Sequence, residues 1–282
     1  MSATYTAAVS DAAEGPVAAP APRPMPVAAL SYFFPAHDEV ANIEALVAEA
    51  LEALPGLATT FEIIAVDDGS RDGTGALADR LAWEHPGVVR VVHHATNLGY
   101  GAALRSGFRA ARYELIGFTD GDRQFRIADL GRLLARLEAS DAPDAVIGYR
   151  LRRADAPLRL VYARIYRACL RLFFGLAARD VDCACKIFRR ASLEAVRLES
   201  GGAFLSAELL IKLRARGRRF VQVGVPHHPR LAGQASGANP RVILRAVRDF
   251  WRLRLRLWLA RDAALARGEP VLADVPPVAP GG

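Results

Sequence analysis

Short apolar runs alternate with segments of helical periodicity from about residue 28 onward. Apolar runs predict strands at 28–36, 61–66, 88–92, 114–119, 144–148 and 219–225. Apolar residues recurring every three or four positions predict helices at 40–54, 74–83, 101–112, 127–138, 157–175, 204–217 and 240–262. This alternation is typical of an α/β protein with a mainly parallel sheet and helices on both faces.

The two ends of the chain lack this pattern. Residues 1–27 and 263–282 are rich in Ala and Pro, so both are predicted to be disordered extensions of a domain at 28–239 and a helix at 240–262. The first residues do not combine a basic segment with an apolar core, so no signal peptide is predicted. No run of about 18 uncharged apolar residues predicts a transmembrane helix.

Composition narrows the possible partners. Among 282 residues the net charge is +7, which suits nucleic acid, anionic lipid or phosphorylated substrates. No nucleic-acid-binding motif or base-stacking platform is recognisable, so nucleic acid is not an expected partner. Three cysteines, two of them one residue apart, argue against a disulfide framework and indicate a reducing cytoplasm.

Polar residues follow the ends of several predicted strands. These are Asp67, Asp68, Asp120, Asp122 and Arg150. In parallel sheets ligands bind at the carboxyl ends of the strands, so this edge is the predicted site. The chain has neither a Gly-x-Gly-x-x-Gly segment after its first strand nor a Walker-type loop, which argues against dinucleotide oxidoreductases and P-loop NTPases.

Asp120 and Asp122 stand one residue apart after an apolar strand. Two such carboxylates can reach one cation, and Mg²⁺ or Mn²⁺ prefers oxygen ligands. With the carbonyl oxygen of Gln124 they would hold an ion that neutralises a diphosphate leaving group. The alternative is an ordinary acidic loop, since this pattern also occurs by chance.

Five segments together resemble a known family. They are PAHDEVANI (35–43), VDDGSRDGT (66–74), NLGYGAALRSGF (97–108), TDGDRQF (119–125) and RDVDCACKIFRR (179–190). In order and spacing they resemble family-2 inverting glycosyltransferases with the GT-A (nucleotide-diphospho-sugar transferase, Rossmann-like) fold. Among these, the polyprenyl-phosphate (dolichyl-phosphate) mannose and glucose synthases are the most similar. The resemblance covers roughly residues 28–255.

The resemblance implies a donor site for a GDP- or UDP-hexose. Nucleoside contacts are implied for Pro35, His37, Glu39, Val66 and Asp68. His37 replaces the family's usual Tyr, and Asp38 its usual Asn. Asp120, Gly121 and Asp122 match the segment that binds metal and diphosphate, and Gln124 matches a third metal ligand.

Basic residues match the remaining donor contacts and the acceptor side. Arg150 matches an arginine near the sugar and phosphates, and Arg230 matches one in a loop that closes over the donor. The family often has a Lys six residues later, where this chain has Ser236, and Arg241 is a possible substitute. Arg159 and Arg164 match positions near the acceptor phosphate.

The general base is left open between Asp182 and Asp180, with Glu208 as a third candidate. A lipid phosphate has its second pKa near ~6 and needs no deprotonation, so an aspartate would then only orient the acceptor or stabilise charge. A hydroxyl acceptor would require a true base. Glu208 could equally form a structural ion pair.

The last predicted helix has a basic stripe and an apolar side. The stripe contains Arg241, Arg245, Arg248, Arg252 and Arg256. The apolar side contains Ile243, Val247, Phe250, Trp251, Leu257 and Trp258. Such a helix suits an anionic membrane surface, whereas the alternative is a helix packed on the domain or on a second subunit.

The expected function is transfer of a hexose to a polyprenyl phosphate by a metal-dependent, inverting glycosyltransferase. We expect it at the cytoplasmic face of the plasma membrane, bound peripherally or through a membrane-protein partner. One alternative is a family-2 enzyme with a glycan, small-molecule or lipid-hydroxyl acceptor. Another is a non-catalytic sugar-nucleotide-binding protein that kept the fold.

Overall fold

The computed structural model describes residues 26–151, 157–230 and 240–266, with only the backbone of 157–160, 240–241 and 260–266. Its strands are β1 (Val27–Ala36), β2 (Ala58–Asp67), β3 (Val89–His93), β4 (Leu115–Phe118), β5 (Ala145–Arg150), β6 (Lys186–Arg189) and β7 (Phe220–Val225). Its helices are α1 (Val40–Ala53), α2 (Thr74–Glu84), α3 (Tyr100–Ala110), α4 (Leu130–Leu137), α5 (Pro157–Phe174), α6 (Arg190–Glu194), α7 (Leu205–Ala215) and α8 (Pro240–Ala266). Short 3₁₀ turns lie at Leu54–Gly56 and Ile127–Asp129.

All seven strands form one sheet in the order β3-β2-β1-β4-β6-β5-β7. β1 pairs in parallel with β2 and β4, β2 with β3, and β5 with β7. Only β6 is antiparallel, and it lies between β4 and β5. The predicted mainly parallel α/β sheet is confirmed.

β6 and α6 were not predicted from the sequence. β6 is four residues long and begins with Lys186, which is buried between Phe118 of β4 and Ile147 of β5. A strand that starts on a buried lysine gives neither a continuous apolar run nor an alternating one. α6 follows at once and has only five residues.

Helices cover both faces of the sheet, as predicted. Gly117 and Phe118 are adjacent on β4 and therefore face opposite sides. Phe118 lies 5.7 Å from the ring of Phe108 in α3. On the other face, a Cβ atom on Gly117 would lie 3.8 Å from Leu130 in α4. The binding edge is thus held between two packed helical layers.

The helix α8 packs on the domain through part of its apolar side. The Phe250 ring lies 4.9–5.9 Å from the rings of Phe173, Phe174 and Phe204, and Leu253 is buried. Another apolar face stays exposed. Its members are Ile243, Leu244, Val247, Trp251, Leu255, Trp258 and Leu259. One apolar face of α8 packs on the domain, and the other is exposed. The structure is therefore consistent both with packing on the domain and with binding of the exposed face to a membrane surface.

The boundaries at the chain ends differ slightly from the prediction. β1 already begins at Val27, and α8 continues to Ala266 rather than ending at 262. Alanines at 263, 264 and 266 are strong helix formers, which explains the extension. Most of both predicted disordered ends, and Ser236, lie outside the described residues. Among the residues that the structure does describe, no helix is long and apolar enough to cross a membrane.

Candidate active site

The predicted site residues lie at the carboxyl edge of the sheet. Asp67 and Arg150 are the last residues of β2 and β5, and Asp120 follows two residues after β4. An antiparallel strand begins where its parallel neighbours end, so the segment before β6 reaches the same edge. That segment contains Asp180 and Asp182.

The Asp120-Gly121-Asp122 turn is fixed by close packing on β1. A Cβ atom on Gly121 would lie 2.7 Å from the main-chain oxygen of Pro35, so only glycine allows this approach. The Tyr100 hydroxyl donates a hydrogen bond of 2.9 Å to Asp120 Oδ1. Asp122 Oδ1 accepts a hydrogen bond of 3.1 Å from the main-chain amide of Gln124. The two carboxylates are therefore held in place without any ligand.

The site accumulates negative charge. Burial, together with the neighbouring Asp122 carboxylate, raises the pKa of Asp120 to about 7. Arg230 supplies a positive charge, with Nη2 2.6 Å from Asp122 Oδ2 and Nη1 3.2 Å from Glu39 Oε1. A buried carboxylate that resists ionisation is a feature expected where a cation normally binds.

Gln124 connects this turn to the segment before Arg230. Its main-chain oxygen accepts the His228 amide at 2.9 Å, and its Nε2 donates to the His228 carbonyl oxygen at 3.1 Å. The side-chain oxygen is thus the atom of Gln124 best suited to a cation. Within the described residues, no three His, Cys, Asp or Glu side chains cluster as a metal site. Two carboxylates and an amide oxygen are instead a hard-oxygen set that suits Mg²⁺ or Mn²⁺.

The loop after β1 explains the replacement of Asn by Asp at position 38. Asp38 has φ of 55°, a left-handed conformation that Asn and Asp adopt more readily than most residues. Its Oδ1 accepts the Arg71 amide at 2.8 Å, and its own amide donates to Ser70 Oγ at 3.0 Å. The Glu39 amide donates to Thr74 Oγ1 at 2.9 Å. Asp38 therefore preserves the loop.

Three of the residues implied to contact the nucleoside are buried, and one of them already has hydrogen-bond partners in the protein. The Val66 side chain is fully buried in the core and Pro35 is buried, so neither side chain is exposed at the site, and the nucleoside contacts implied for these two positions stay predictions. Asp68 is also buried, and its carboxylate accepts the Leu98 and Gly99 amides at 2.9 Å each and contacts His94 Nδ1 at 2.6 Å. Asp68 thus holds the loop between β3 and α3.

A cavity of about 460 Å³ opens beside these residues and includes exposed His37. Its lining consists of His37, Asp38, Asp67, Gly69, Ser70, Arg71, His94, Ala95, Thr96 and Asn97. It lies at the ends of β1, β2 and β3, which is where the resemblance places the nucleoside. His37 is the implied contact that faces this space.

The adjacent residues His93 and His94 form hydrogen bonds with different carboxylates. His93 contacts Asp79 at 2.9 Å and Asp67 at 3.1 Å, and these hydrogen bonds, led by the one to Asp79, raise the pKa of His93. Side chains of neighbouring strand residues point to opposite faces, so the two rings do not converge on one ligand.

The candidates for a general base occupy very different surroundings. Asp180 forms a bidentate ion pair with Arg150, at 2.6 Å from Nε and 2.9 Å from Nη2, and both side chains are buried. Glu208 is buried too, accepting the Glu199 and Ser200 amides and pairing with Lys212 at 2.6 Å.

The ion pairs of Asp180 and Glu208 bear on which carboxylate could act as a general base. A carboxylate held in a buried ion pair is a poor base, because accepting a proton would break the pair. Asp180 and Glu208 are thus engaged in buried ion pairs, and the Arg150 guanidinium contacts Asp180 through Nε and Nη2. The catalytic role of Asp180 and the donor contact of Arg150 stay predictions. Asp182 is exposed and remains the candidate base or orienting group.

The acceptor side is described only in part. Arg164 is exposed on α5, three residues before Arg167, whose Nη1 donates to the Arg179 carbonyl oxygen at 3.0 Å. Residues three apart on a helix share a face, so Arg164 lies on the side of α5 nearest the 179–182 segment. The Arg159 and Arg241 side chains lie outside the described residues.

Two residues of the site had no predicted role. Tyr100 is the hydrogen-bond donor to Asp120, and burial raises its pKa well above the usual value. Lys186 is buried behind the site, where its Nζ donates to the Cys183 carbonyl oxygen at 2.5 Å and burial lowers its pKa. Both residues lie in segments that carried the family resemblance. The motifs therefore indicated that these segments belong to the site, but they did not indicate what Tyr100 and Lys186 do there.

Comparison with known proteins confirms the family indicated by the motifs. The sequence profile described as "Glycosyl transferase family 2" matches residues 31–197. The chain is 31% identical over 240 residues to a polyprenol monophosphomannose synthase of Mycolicibacterium smegmatis, covering 80% of this chain and 88% of that protein. It is 32% identical over 251 residues to glycosyltransferase AglD of Haloferax volcanii, covering 85% of this chain and 40% of that one.

A third relative is named for a sugar other than mannose. It is an undecaprenyl-phosphate 4-deoxy-4-formamido-L-arabinose transferase of Pseudomonas aeruginosa, 28% identical over 223 residues, covering 78% of this chain and 64% of that protein. The chain thus spans less than two thirds of two of these three relatives.

A solved structure confirms the fold. Glucosyl-3-phosphoglycerate synthase from Mycobacterium tuberculosis, in complex with Mg²⁺ and uridine diphosphate, superposes with a TM-score of 0.61. Its sequence is 19% identical, and the match covers 79% of each chain. The predicted GT-A-type architecture is therefore confirmed.

Proposed function

The chain belongs to glycosyl transferase family 2 and is a glycosyltransferase. We propose that it transfers a hexose from a nucleotide diphosphate sugar to a polyprenyl phosphate in one inverting displacement. The observation that carries the donor half is the Asp120–Asp122 pair at the sheet edge, facing Arg230. The acceptor half is supported by the names of two relatives, which share a polyprenyl phosphate and differ in the sugar.

The donor binds along the carboxyl edge of the sheet in this proposal. Its nucleoside enters the cavity beside His37, and its diphosphate lies over the Asp120-Gly121-Asp122 turn. Asp120, Asp122 and the side-chain oxygen of Gln124 hold Mg²⁺ or Mn²⁺, which when bound neutralises charge on the leaving diphosphate. Tyr100 orients Asp120 for this purpose through its hydrogen bond.

The acceptor phosphate approaches from the side of α5. Its second pKa near ~6 leaves it largely dianionic at neutral pH, so it attacks the anomeric carbon without a base. Arg164 and, five residues earlier on α5, Arg159 attract the phosphate. Exposed Asp182 orients the acceptor or stabilises positive charge at the sugar.

The lipid acceptor requires access to a membrane surface. The exposed apolar face of α8 lies next to arginines, of which Arg248 is mostly exposed, and this combination suits an anionic bilayer interface. We propose peripheral attachment at the cytoplasmic face through this helix. A membrane-protein partner covering the same face is the alternative.

Product analysis with a panel of donors and acceptors tests the proposal. UDP- and GDP-hexoses are offered with a short-chain polyprenyl phosphate, the matching polyprenol, or a glycan, with and without Mn²⁺. We expect a glycosylated lipid phosphate from one donor, only with the divalent ion. Turnover with the polyprenol or glycan alone would exclude the lipid-phosphate acceptor. Absence of both turnover and nucleotide binding would exclude the donor site.

A further inference from the structure

Arg230 occupies the position in which a cation would contact Asp122. Asp122 Oδ1 accepts the main-chain amide of Gln124, and Oδ2 is the oxygen that faces Arg230, called the outward oxygen below. That oxygen contacts Arg230 Nη2 at 2.6 Å. The Asp122 side chain is almost fully buried, so few other directions of approach remain.

Glu39 holds the other end of the same guanidinium. Its Oε1 lies 3.2 Å from Arg230 Nη1, and its Oε2 accepts the Asn42 side-chain amide at 2.5 Å. The main chain of Glu39 is fixed by its hydrogen bond to Thr74. Glu39 is therefore held through both its carboxylate and its main chain while it contacts Arg230.

A divalent ion and Arg230 cannot share the outward oxygen of Asp122. Mg²⁺ binds carboxylate oxygens at about 2.1 Å, and a guanidinium at hydrogen-bond distance from the same oxygen would be strongly repelled. The ion must displace the arginine from Asp122. Because Glu39 contacts a different nitrogen, the arginine can leave Asp122 while it keeps its contact with Glu39.

We propose that Arg230 fills the cation position at Asp122 until a divalent ion displaces it, and that Glu39 is the positioning residue that retains Arg230 after this exchange. The inference rests on the metal site of the proposed function. In the ion-free protein Arg230 neutralises Asp122. After the exchange it is held by Glu39 beside the ion, where its charge is available to the donor diphosphate. Ion binding thus precedes engagement of Arg230 with the donor.

Calorimetric titration of the full chain with Mn²⁺ alone, without nucleotide, tests this exchange. Arg230→Gln should tighten Mn²⁺ binding about tenfold, because the competing charge is gone. Arg126→Gln is the matched control, since it removes the same charge from a half-exposed arginine that pairs with Glu49. It should change the affinity less than about twofold. Equal affinities in the wild type and Arg230→Gln would overturn the exchange.

A double-mutant cycle tests the part assigned to Glu39. Glu39→Gln should weaken Mn²⁺ binding about fivefold in the wild type, because displaced Arg230 loses its anchor, but less than about twofold in Arg230→Gln. Equal effects in the two backgrounds would overturn the positioning role. Wild-type protein that binds UDP or GDP but no Mn²⁺ would instead refute the metal site of the proposed function, and this inference with it.

Discussion

Replacing Asp180 by Asn removes the carboxylate that forms a bidentate ion pair with the buried Arg150 guanidinium. Only 8% of the Arg150 side chain and 6% of the Asp180 side chain are exposed, and the pair is bidentate at 2.6 and 2.9 Å. Removing one member of a buried ion pair costs about 3–5 kcal/mol. For a domain of this size, that corresponds to a fall in melting temperature of roughly 6–20 °C.

Thermal unfolding followed by circular dichroism measures this effect. Asp141→Asn is the matched control, because Asp141 forms a bidentate pair with Arg136, in which both side chains are about one third exposed, and a second exposed pair with Arg219 at 3.1 Å. Two exposed pairs at about 0.5 kcal/mol each contribute about 1 kcal/mol, so the control should melt within roughly 4 °C of the wild type. The double variant Arg150→Met with Asp180→Leu should recover much of the lost stability, since apolar replacement of a buried pair is often neutral.

The outcome also decides the chemical role of Asp180. If Asp180 were the general base, Asp180→Asn would abolish turnover while melting like the control. That result would refute the assignment of Asp180 as a structural partner of Arg150. A large loss of stability, relieved in the double variant, is the expected result.

Three further predictions concern pH, the aspartate turn and the membrane. The pKa of His93 is raised above 6.5 by its two aspartate partners, so its contribution to stability is complete below pH 6.5 and declines as pH rises through the raised value. His93→Gln should therefore destabilise the protein more at pH 6 than at pH 8.5 in urea titrations. Gly121→Ala should weaken Mn²⁺ binding at least about tenfold with an unchanged circular dichroism spectrum, because its Cβ would meet a main-chain oxygen of β1. Gly56→Ala, with open space around it, should bind Mn²⁺ normally. Trp251→Ser should weaken binding to anionic vesicles roughly five- to tenfold, because a half-exposed indole is lost, whereas Trp83→Ser should not.

Different results would contradict these predictions in specific ways. A destabilisation by His93→Gln that does not depend on pH would show that its carboxylate contacts are electrostatically unimportant. Equal Mn²⁺ affinity in the Gly121 and Gly56 variants would show that the turn tolerates displacement. Equal vesicle binding by the Trp251 and Trp83 variants would leave the exposed face of α8 to a protein partner or a second copy.

Strands β1, β2 and β4 were predictable because most of their residues are buried on both faces of the sheet. Residues such as Leu30, Phe33 and Ile63 are fully buried, so these strands appear in the sequence as continuous apolar runs. Their order along the chain then places Asp120 at the binding edge with no knowledge of contacts. β6 escaped prediction because its first residue is the buried Lys186, whose charge interrupts the apolar run.

Side-chain partners were the part that the sequence could not provide. The pairing of Asp180 with Arg150 joins positions 30 residues apart, and that of Asp122 with Arg230 joins positions 108 apart. Local periodicity carries no information about such pairs. The motifs indicated which residues gather at the site, whereas only the fold shows that Asp180 is neutralised and Asp182 is exposed.

The helix α8 illustrates the same limit. A helical wheel separates its basic stripe from its apolar residues but does not show that the apolar residues form two faces. Phe250 and Leu253 pack on the domain, whereas Trp251 and Leu255 are about half exposed. The distinction depends on α5 and on Phe204, just before α7, which lie well before α8 in the sequence.

The measurement that tests the central claim most directly is metal-dependent sugar transfer by the wild type and by Asp122→Ala. Labelled nucleotide hexose and a short-chain polyprenyl phosphate are incubated with each protein, with Mn²⁺ or with a chelator, and the lipid product is quantified. Asp79→Ala, an exposed carboxylate on α2, is the matched control. We predict Mn²⁺-dependent product from the wild type and the control. In Asp122→Ala the loss should exceed the roughly 100-fold that removal of an outer partner of a metal ligand can cause. Undiminished transfer by a folded Asp122→Ala variant would contradict the account.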